Sequence, residues 1–193
     1  MYKFNPITGE LDLVGEGSSI IGGYASGSQQ HLAGSLYPQA VGATILTGGE
    51  INYWPILVEF ECEISSLTPR ASTGTYPVGN FVMGLYEWGE GEGGDLIVQT
   101  VEGDTSITLQ TLAITPQTLQ PGYYWACWHA DVDYPIGSRI NFLSILGVDG
   151  AVNTRYAYRK KTLTYNSTLP ATFEAGTSLV SAPRAPRIGW DIS

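Results

Sequence analysis

The chain has 193 residues, of which 14% are charged and 24 are glycine, and its formal net charge is −9. The charged fraction is well below the roughly 25% of ordinary soluble domains, and glycine is well above its roughly 7% norm, so the composition excludes a mainly helical protein. Recognition of nucleic-acid phosphates needs a basic footprint, which the acidic balance argues against. The length suits one domain with a substantial core.

Targeting signals and a disulfide framework are both missing from the sequence. The first ten residues lack the apolar run of a signal peptide, and no apolar run approaches the roughly 18 residues of a membrane span. We therefore expect synthesis in the cytoplasm and no membrane insertion. Cys62 and Cys127 are too few for a disulfide scaffold, and each falls in an alternating apolar pattern, so we expect two buried, inert thiols.

The first 36 residues differ from the rest, because glycine and serine interleave there without a sustained apolar period. Such a stretch cannot offset its own ordering entropy, so we predict an extended arm at residues 1–36 and a β module at residues 37–193. The opening of the arm is more apolar and predicts a tag that docks on a partner. Its candidate anchoring residues are Phe4, Asn5, Pro6, Ile7, Leu11, Leu13 and Val14.

Short runs rich in β-branched and aromatic residues follow one another through the module. The predicted strands are 41–46, 51–64, 81–88, 96–101, 105–112, 123–130, 139–146, 155–164 and 188–192. Gly48 and Gly49 predict a turn, as does the glycine-rich loop at 89–95. No stretch keeps a helical period of about 3.6 residues. We predict an all-β fold, a jelly-roll-like antiparallel β-sandwich.

Aromatic residues are concentrated in the strand predicted at 123–130. Alternation places Tyr123 and Trp125 on one face and Tyr124 and Trp128 on the other. We favour a strand buried on both faces; the alternative is an exposed platform for sugar rings or protein partners. The candidate platform residues are Trp88, Trp128 and Tyr134. The 22 aromatics also exceed what one small sandwich readily buries, which predicts closed self-association, most simply as a homotrimer.

Charge is divided unevenly along the chain, with a net −13 over residues 1–154 and +4 over residues 155–193. Blocks of opposite sign suit contacts between subunits. The basic residues that would make such contacts are Arg155, Arg159, Lys160 and Lys161. The alternative, which we favour, is a solvated strand edge where lysine blocks unwanted pairing.

Catalytic motifs are missing, and His31 and His129 are the only histidines, so triads and multi-histidine metal sites lack their raw material. We predict no enzyme activity and no cofactor. Asp131 and Asp133, which follow His129, form the one weak candidate for a calcium site. We favour a solvated strand end there and predict no metal site.

Two parts of the chain resemble a known class of proteins. Residues 5–12 read Asn-Pro-Ile-Thr-Gly-Glu-Leu-Asp and resemble the short Asn-Pro-x-Thr-Gly-x-Leu-Asp segment that begins many tailed-phage virion proteins, including tail and head fibres. From about Tyr37 the chain is similar to the jelly-roll modules of such fibres. The stretches that carry this second likeness are 83–86, 119–126, 169–173 and 185–189.

The resemblance implies a structural protein of a phage virion, made in the host cytoplasm. It implies a homotrimer whose N-terminal peptide binds other virion proteins of the tail or capsid, while the β module attaches to the host surface, with a surface glycan as one candidate ligand. The alternative is a capsid cement or decoration protein, because no coiled coil, collagen-like repeat or β-helix follows the anchor. A carbohydrate-cleaving depolymerase ranks last, since no pair of facing carboxylates can be assigned.

Overall fold

The computed structural model describes residues 2–4, 11–13, 30–31, 42–58, 61–69, 77–89, 92–107, 110–139, 157–173, 176–181, 185–186 and 188–192. Within these ranges the regular elements are β-strands and there is no α-helix. The part of the chain so described therefore holds no helix able to cross a bilayer. The strands are β1 (Tyr2–Phe4), β2 (Leu11–Leu13), β3 (Gln30–His31), β4 (Gly42–Leu46), β5 (Glu50–Val58), β6 (Cys62–Pro69), β7 (Asn80–Glu87), β8 (Leu96–Gln99), β9 (Gly103–Asp104), β10 (Leu112–Leu119), β11 (Gly122–Ala130), β12 (Tyr134–Arg139), β13 (Ala157–Thr162), β14 (Ser178–Ser181), β15 (Ala185–Pro186) and β16 (Ile188–Ile192).

The strands form one large sheet and three smaller ones, and every pairing is antiparallel. The large sheet has seven strands in the order β14-β13-β5-β11-β7-β8, with β9 beside β7. A four-stranded sheet has the order β10-β6-β16-β3, a three-stranded sheet has the order β15-β12-β4, and β1 pairs with β2. The predicted all-β antiparallel sandwich is confirmed.

One face of the seven-stranded sheet, here called the inner face, packs against strands of the four-stranded and three-stranded sheets. Alternate residues of β5 such as Trp54 and Ile56 belong to this core, together with Leu67 of β6. Phe81 and Trp128 are fully buried and stack with their ring centroids 4.4 Å apart. Each fully buried side chain of this size contributes roughly 1.5–3 kcal/mol of hydrophobic free energy, so this core dominates the stability of the module.

The opposite, outer face of the same sheet is also buried, but an irregular segment covers it. Tyr53, Tyr86 and Cys127 belong to this second cluster and have 0% exposure. Residues 163–173, here called the strap, run across them and insert the buried Leu169. The Tyr86 hydroxyl donates a hydrogen bond to the Pro170 carbonyl oxygen at 2.9 Å, which ties the strap to the sheet.

Some predicted strands differ from the observed ones. The strand predicted at 51–64 is wrong, because β5 and β6 lie in different sheets and the chain changes sheets between them. Strand β13 pairs with β5 only as far as Tyr53. Pro55 lies beyond that point, so the N–H that proline lacks removes no hydrogen bond between β5 and β13. The strand predicted at 105–112 is also wrong: Thr105 lies in a turn in which the Asp104 carboxylate accepts the Ser106 N–H at 2.8 Å.

The remaining differences concern strand ends and the arm. β12 begins at Tyr134, five residues before the strand predicted at 139–146, and residues 140–146 lie outside the described part. Two residues of the predicted arm, Gln30 and His31, form a short strand that pairs with β16 on the four-stranded sheet. Part of the segment predicted as an arm thus joins the module.

Candidate functional site

Four aromatic side chains, three of them partly exposed, gather at the end of the outer face where the strap finishes. Tyr123 and Trp125 share the outer face of β11, and Trp88 follows β7 beside them. Trp88 stacks on Trp125 with ring centroids 4.7 Å apart and an angle of 18° between planes, and its centroid lies 5.3 Å from that of Tyr123. Phe173 at the end of the strap lies 5.4 Å from Trp125. These four residues are here called the aromatic cluster.

The backbone around the cluster is held by the loop between β7 and β8. The N–H of Gly93 donates to the Trp88 carbonyl oxygen at 3.1 Å, and the N–H of Phe173 donates to the Gly94 carbonyl oxygen at 2.9 Å. Gly93 has a φ of +87°, and a Cβ on it would overlap the Phe173 ring. Trp125 Nε1 donates to the Trp88 carbonyl oxygen at 3.3 Å. The glycine lets the loop and the strap come close enough to fix Trp88 over Trp125.

Two charged groups border the aromatic cluster. The Arg159 guanidinium of β13 lies 5.9 Å from the centroid of the Trp125 ring, within the range of a cation–π contact. Its Nη2 is 3.6 Å from Glu92 Oε1, and the Glu92 side chain is 81% exposed. Arg159 Nε has no hydrogen-bond partner among the described residues. The Arg159 side chain is only 20% exposed, whereas Glu92 is exposed, and a long ion pair with an exposed partner contributes little to stability, so it does not commit these groups to each other.

The predicted platform residues separate into two groups. Trp88 is partly exposed and stands in the aromatic cluster, as the platform needs. For Trp128 and Tyr134 the prediction is wrong, because both have 0% exposure. Trp128 lies on the inner side of β11, and its ring packs against both Phe81 and Tyr134, with centroids 4.4 Å and 5.1 Å away. These two aromatics are core residues of the sandwich.

Sequence reasoning missed Tyr123 and Arg159 as members of this site. Tyr123 carried a signal, because alternation places it on the face of Trp125. Arg159 carried no such signal in the sequence, because its position depends on the register between strands. Arg159 of β13 is opposite Tyr53 of β5, and Tyr53 is in turn opposite Cys127 of β11. Residues directly opposite one another in neighbouring strands share a face, so the register brings Arg159 to the outer face beside Trp125.

The basic residues predicted as a strip occupy an interior strand. β13 lies between β14 and β5, so the favoured prediction of a solvated sheet edge is wrong. Lys160 Nζ donates to both carboxylate oxygens of Glu50, at 2.8 Å and 2.9 Å, within the chain. Lys161 is paired with Ile51 on the outer side, and Arg155 lies outside the described residues. The role of the strip in subunit contacts stays a prediction.

Asp131 and Asp133, the weak calcium candidates, accept hydrogen bonds from backbone N–H groups in the structure. Asp131 Oδ1 accepts the Asn80 N–H at 2.7 Å, and Asp133 Oδ1 accepts the Gly48 N–H at 2.8 Å. The buried His129 ring has its nitrogens 3.2 Å and 3.4 Å from the carbonyl oxygens of Glu50 and Thr164. Among the described residues, no group of three or more His, Cys, Asp or Glu could hold a metal ion.

The N-terminal strands form a hairpin of their own. β1 pairs with β2 in the register Tyr2 to Leu13 and Phe4 to Leu11, while Lys3 is opposite Asp12. Since alternate residues of a strand belong to the same face, the register assigns the apolar residues to one face and the charged pair to the other. Within the described strands, β1 and β2 pair only with each other. Four of the predicted anchoring residues, Asn5, Pro6, Ile7 and Val14, lie outside the described part.

Both faces of β11 are covered within one chain, as the favoured alternative expected. Trp125 has 4% exposure on the outer side and Trp128 has 0% on the inner side.

Cys127 is buried, whereas Cys62 is only partly buried, so the expectation of two fully buried thiols is wrong for Cys62. Both thiols are free. Burial raises the pKa of each thiol.

No protein-family model, curated protein or solved structure matches this chain.

Proposed function

We propose that this chain is a structural protein of a phage virion, held on the particle by its N-terminal peptide and presenting its β module to the host surface. The hairpin of β1 and β2 carries the proposal. Its register assigns Tyr2, Phe4, Leu11 and Leu13 to one face. A two-stranded hairpin is marginally stable by itself in water, so an apolar face on such a short hairpin favours docking on another protein.

The sequence around the hairpin supports the same proposal. Residues 5–12, which join β1 to β2 and enter β2, are those that resemble the opening segment of tailed-phage virion proteins. The module itself has the strand-rich antiparallel construction expected of a fibre module. A rigid body behind a docking peptide suits a subunit that must project a binding surface from a particle.

Host attachment is favoured over capsid decoration by the aromatic cluster. A cement protein uses its surfaces to contact the capsid and needs no further recognition site. Here Trp88 and Tyr123 are partly exposed on the strap-covered side, with Arg159 and Glu92 beside them. Aromatic residues that offer rigid contact area at low entropic cost are typical of recognition surfaces.

Trimer formation stays part of the proposal, but it needs another surface than the one inferred from the sequence. Because β11 is buried on both faces from Trp125 to Ala130, this part of the aromatic strand leaves no free face for a neighbour. Light scattering of the full chain at micromolar concentration measures the oligomeric state directly. A mass of three chains supports the trimer, and a mass of one chain contradicts it.

Immunogold labelling of purified virions, together with mass spectrometry of their proteins, tests the proposal. We expect peptides of this chain in the virion and gold particles at the tail. Gold distributed over the capsid would instead favour a decoration protein. Absence of the chain from purified virions, with its presence in the infected cell, would contradict a virion role.

A further inference from the structure

We propose that the aromatic cluster is a binding site for a neutral oligosaccharide, with Trp88 as its stacking surface. The inference deepens the proposed host-attachment function and rests on it for its biological meaning, although the binding itself can be tested separately. Trp88 is partly exposed, and its ring is already fixed on Trp125, with 4.7 Å between centroids and 18° between planes.

The shape of the cluster suits a sugar ring. The apolar C–H faces of a pyranose pack on flat aromatic rings, and two rings set at an angle can follow the bend between successive sugars. Trp88 and Tyr123 are inclined by 38° with centroids 5.3 Å apart. Because Trp125 and the loop hydrogen bonds hold Trp88 in place, little side-chain entropy would be lost on binding.

The polar border of the cluster suits hydroxyl groups. A sugar hydroxyl both donates and accepts hydrogen bonds. Arg159 supplies N–H donors and Glu92 supplies carboxylate acceptors, and their mutual distance of 3.6 Å is longer than a close hydrogen-bonded ion pair. A donor and an acceptor beside a stacking ring provide the orientation that stacking alone does not.

Charge decides in favour of a neutral sugar over an acidic one. The chain carries a net charge of −9, and the Glu92 carboxylate at the border of the site is 81% exposed. Uronate or sialate polymers would be repelled by this field, because a negative surface lowers the local concentration of an anionic ligand. A neutral hexose or N-acetylhexosamine chain meets no such barrier.

Isothermal titration calorimetry of the full chain with cellohexaose, maltohexaose and chitohexaose tests the proposal. We expect at least one of these neutral probes to bind with an affinity in the range of about 10 μM to 1 mM. Trp88→Ala should weaken that binding by about tenfold or more, because it removes the central stacking surface. Tyr123→Ala gives a second, independent test of the stack.

A matched pair on β13 tests the polar border. Arg159→Gln and Lys161→Gln remove the same charge from the same outer side of one strand, two residues apart. Arg159→Gln should weaken binding severalfold, whereas Lys161→Gln should leave it unchanged. Far-UV circular dichroism checks that each variant keeps its fold.

Each outcome decides the proposal. Absence of binding by all three probes up to about 5 mM, or binding that Trp88→Ala and Tyr123→Ala leave intact, would overturn it. Binding of hyaluronan in preference to the neutral probes would overturn the assigned ligand class. Self-association that Trp88→Ala abolishes would assign the cluster to a second copy. Virion labelling reports separately on the attachment role, so a chain that binds sugar but is absent from virions would contradict only that role.

Discussion

The two faces of the seven-stranded sheet are covered in different ways. On the inner face, strands of two other sheets pack against the seven-stranded sheet and form one continuous core with it. On the outer face, the strap is fixed by single hydrogen bonds, such as those from Leu96 N–H to the Ala171 carbonyl and from Leu163 N–H to the Gly49 carbonyl, each 2.9 Å. The strap ends at the aromatic cluster. A regular cover yields stability, whereas an irregular cover leaves room for a recognition site, as binding residues often lie on loops held by a rigid scaffold.

The same substitution on each face gives the largest expected contrast. Phe81→Ala removes a ring with 0% exposure from the inner core and should lower the free energy of unfolding by about 3–5 kcal/mol. Phe173→Ala removes a partly exposed ring at the end of the strap and should cost about 1–2 kcal/mol. Urea unfolding measures both. Equal losses would contradict the distinction between the two faces.

Two glycines test the close approach between the loop and the strap. Gly93 and Gly176 both have positive φ, +87° and +74°, but a Cβ on Gly93 overlaps Phe173 and a Cβ on Gly176 meets nothing within 4 Å. Gly176→Ala should cost about 1 kcal/mol from the backbone alone. Gly93→Ala should cost about 1–3 kcal/mol more, because the Phe173 ring must move. Thermal unfolding measures the loss of stability in each variant. Equal losses in the two variants would contradict the close contact between Gly93 and Phe173.

The two lysines of β13 allow a comparison of the ion pair of Lys160 and Glu50 with the neighbouring position Lys161, which is opposite Ile51 on the outer side. Lys160→Gln leaves the Glu50 carboxylate, whose side chain is only 17% exposed, without its ammonium partner, and we expect a loss of about 1 kcal/mol. Lys161→Gln should change the free energy of unfolding by less than about 0.5 kcal/mol. Chemical denaturation compares them. If Lys160→Gln were as mild as Lys161→Gln, the pair with Glu50 would have no role in stability.

The cysteines give the smallest effect and report on access to each face. Cys62 is partly buried on the inner side, and Cys127 has 0% exposure on the outer side. Burial raises the pKa of both thiols, so less thiolate is present at pH 8 than in a free cysteine. Ellman's reagent should therefore label Cys62 more slowly than a free cysteine, at a rate that rises with pH, and Cys127 only after unfolding. In Cys127→Ala, only Cys62 is left to react, so this variant identifies the signal of Cys62. Rapid labelling of Cys127 in the native protein would contradict its burial beneath the strap.

Sequence alternation predicted which residues are buried better than it predicted which sheet they join. Val58 and Ile64 both belong to the single strand predicted at 51–64, and both have 0% exposure in the inner core. They nevertheless belong to different sheets, because β5 and β6 cover the same core from opposite sides. A chain that crosses between facing sheets can keep its alternation, so the pattern does not reveal the crossing.

The site was predictable only in part, for a related reason. Alternation separates Trp125 from Trp128, but it does not say which side faces solvent, so Trp128 was assigned to a platform although it is a core residue. Trp88 is partly exposed, and its role as a platform stays a prediction. Arg159 reaches Trp125 through the register of β13, β5 and β11, and register between distant strands is not encoded in local spacing.

Incorporation into virions tests the central claim, which is that the N-terminal hairpin holds the module on the particle. The chain without residues 1–15 should remain folded but be absent from virions, measured by immunoblot of purified particles. Phe4→Ser with Leu11→Ser, which alters the apolar face of the hairpin, should reduce incorporation strongly, whereas Lys3→Ser with Asp12→Ser on the other face should not. Normal incorporation of the truncated chain would contradict the account.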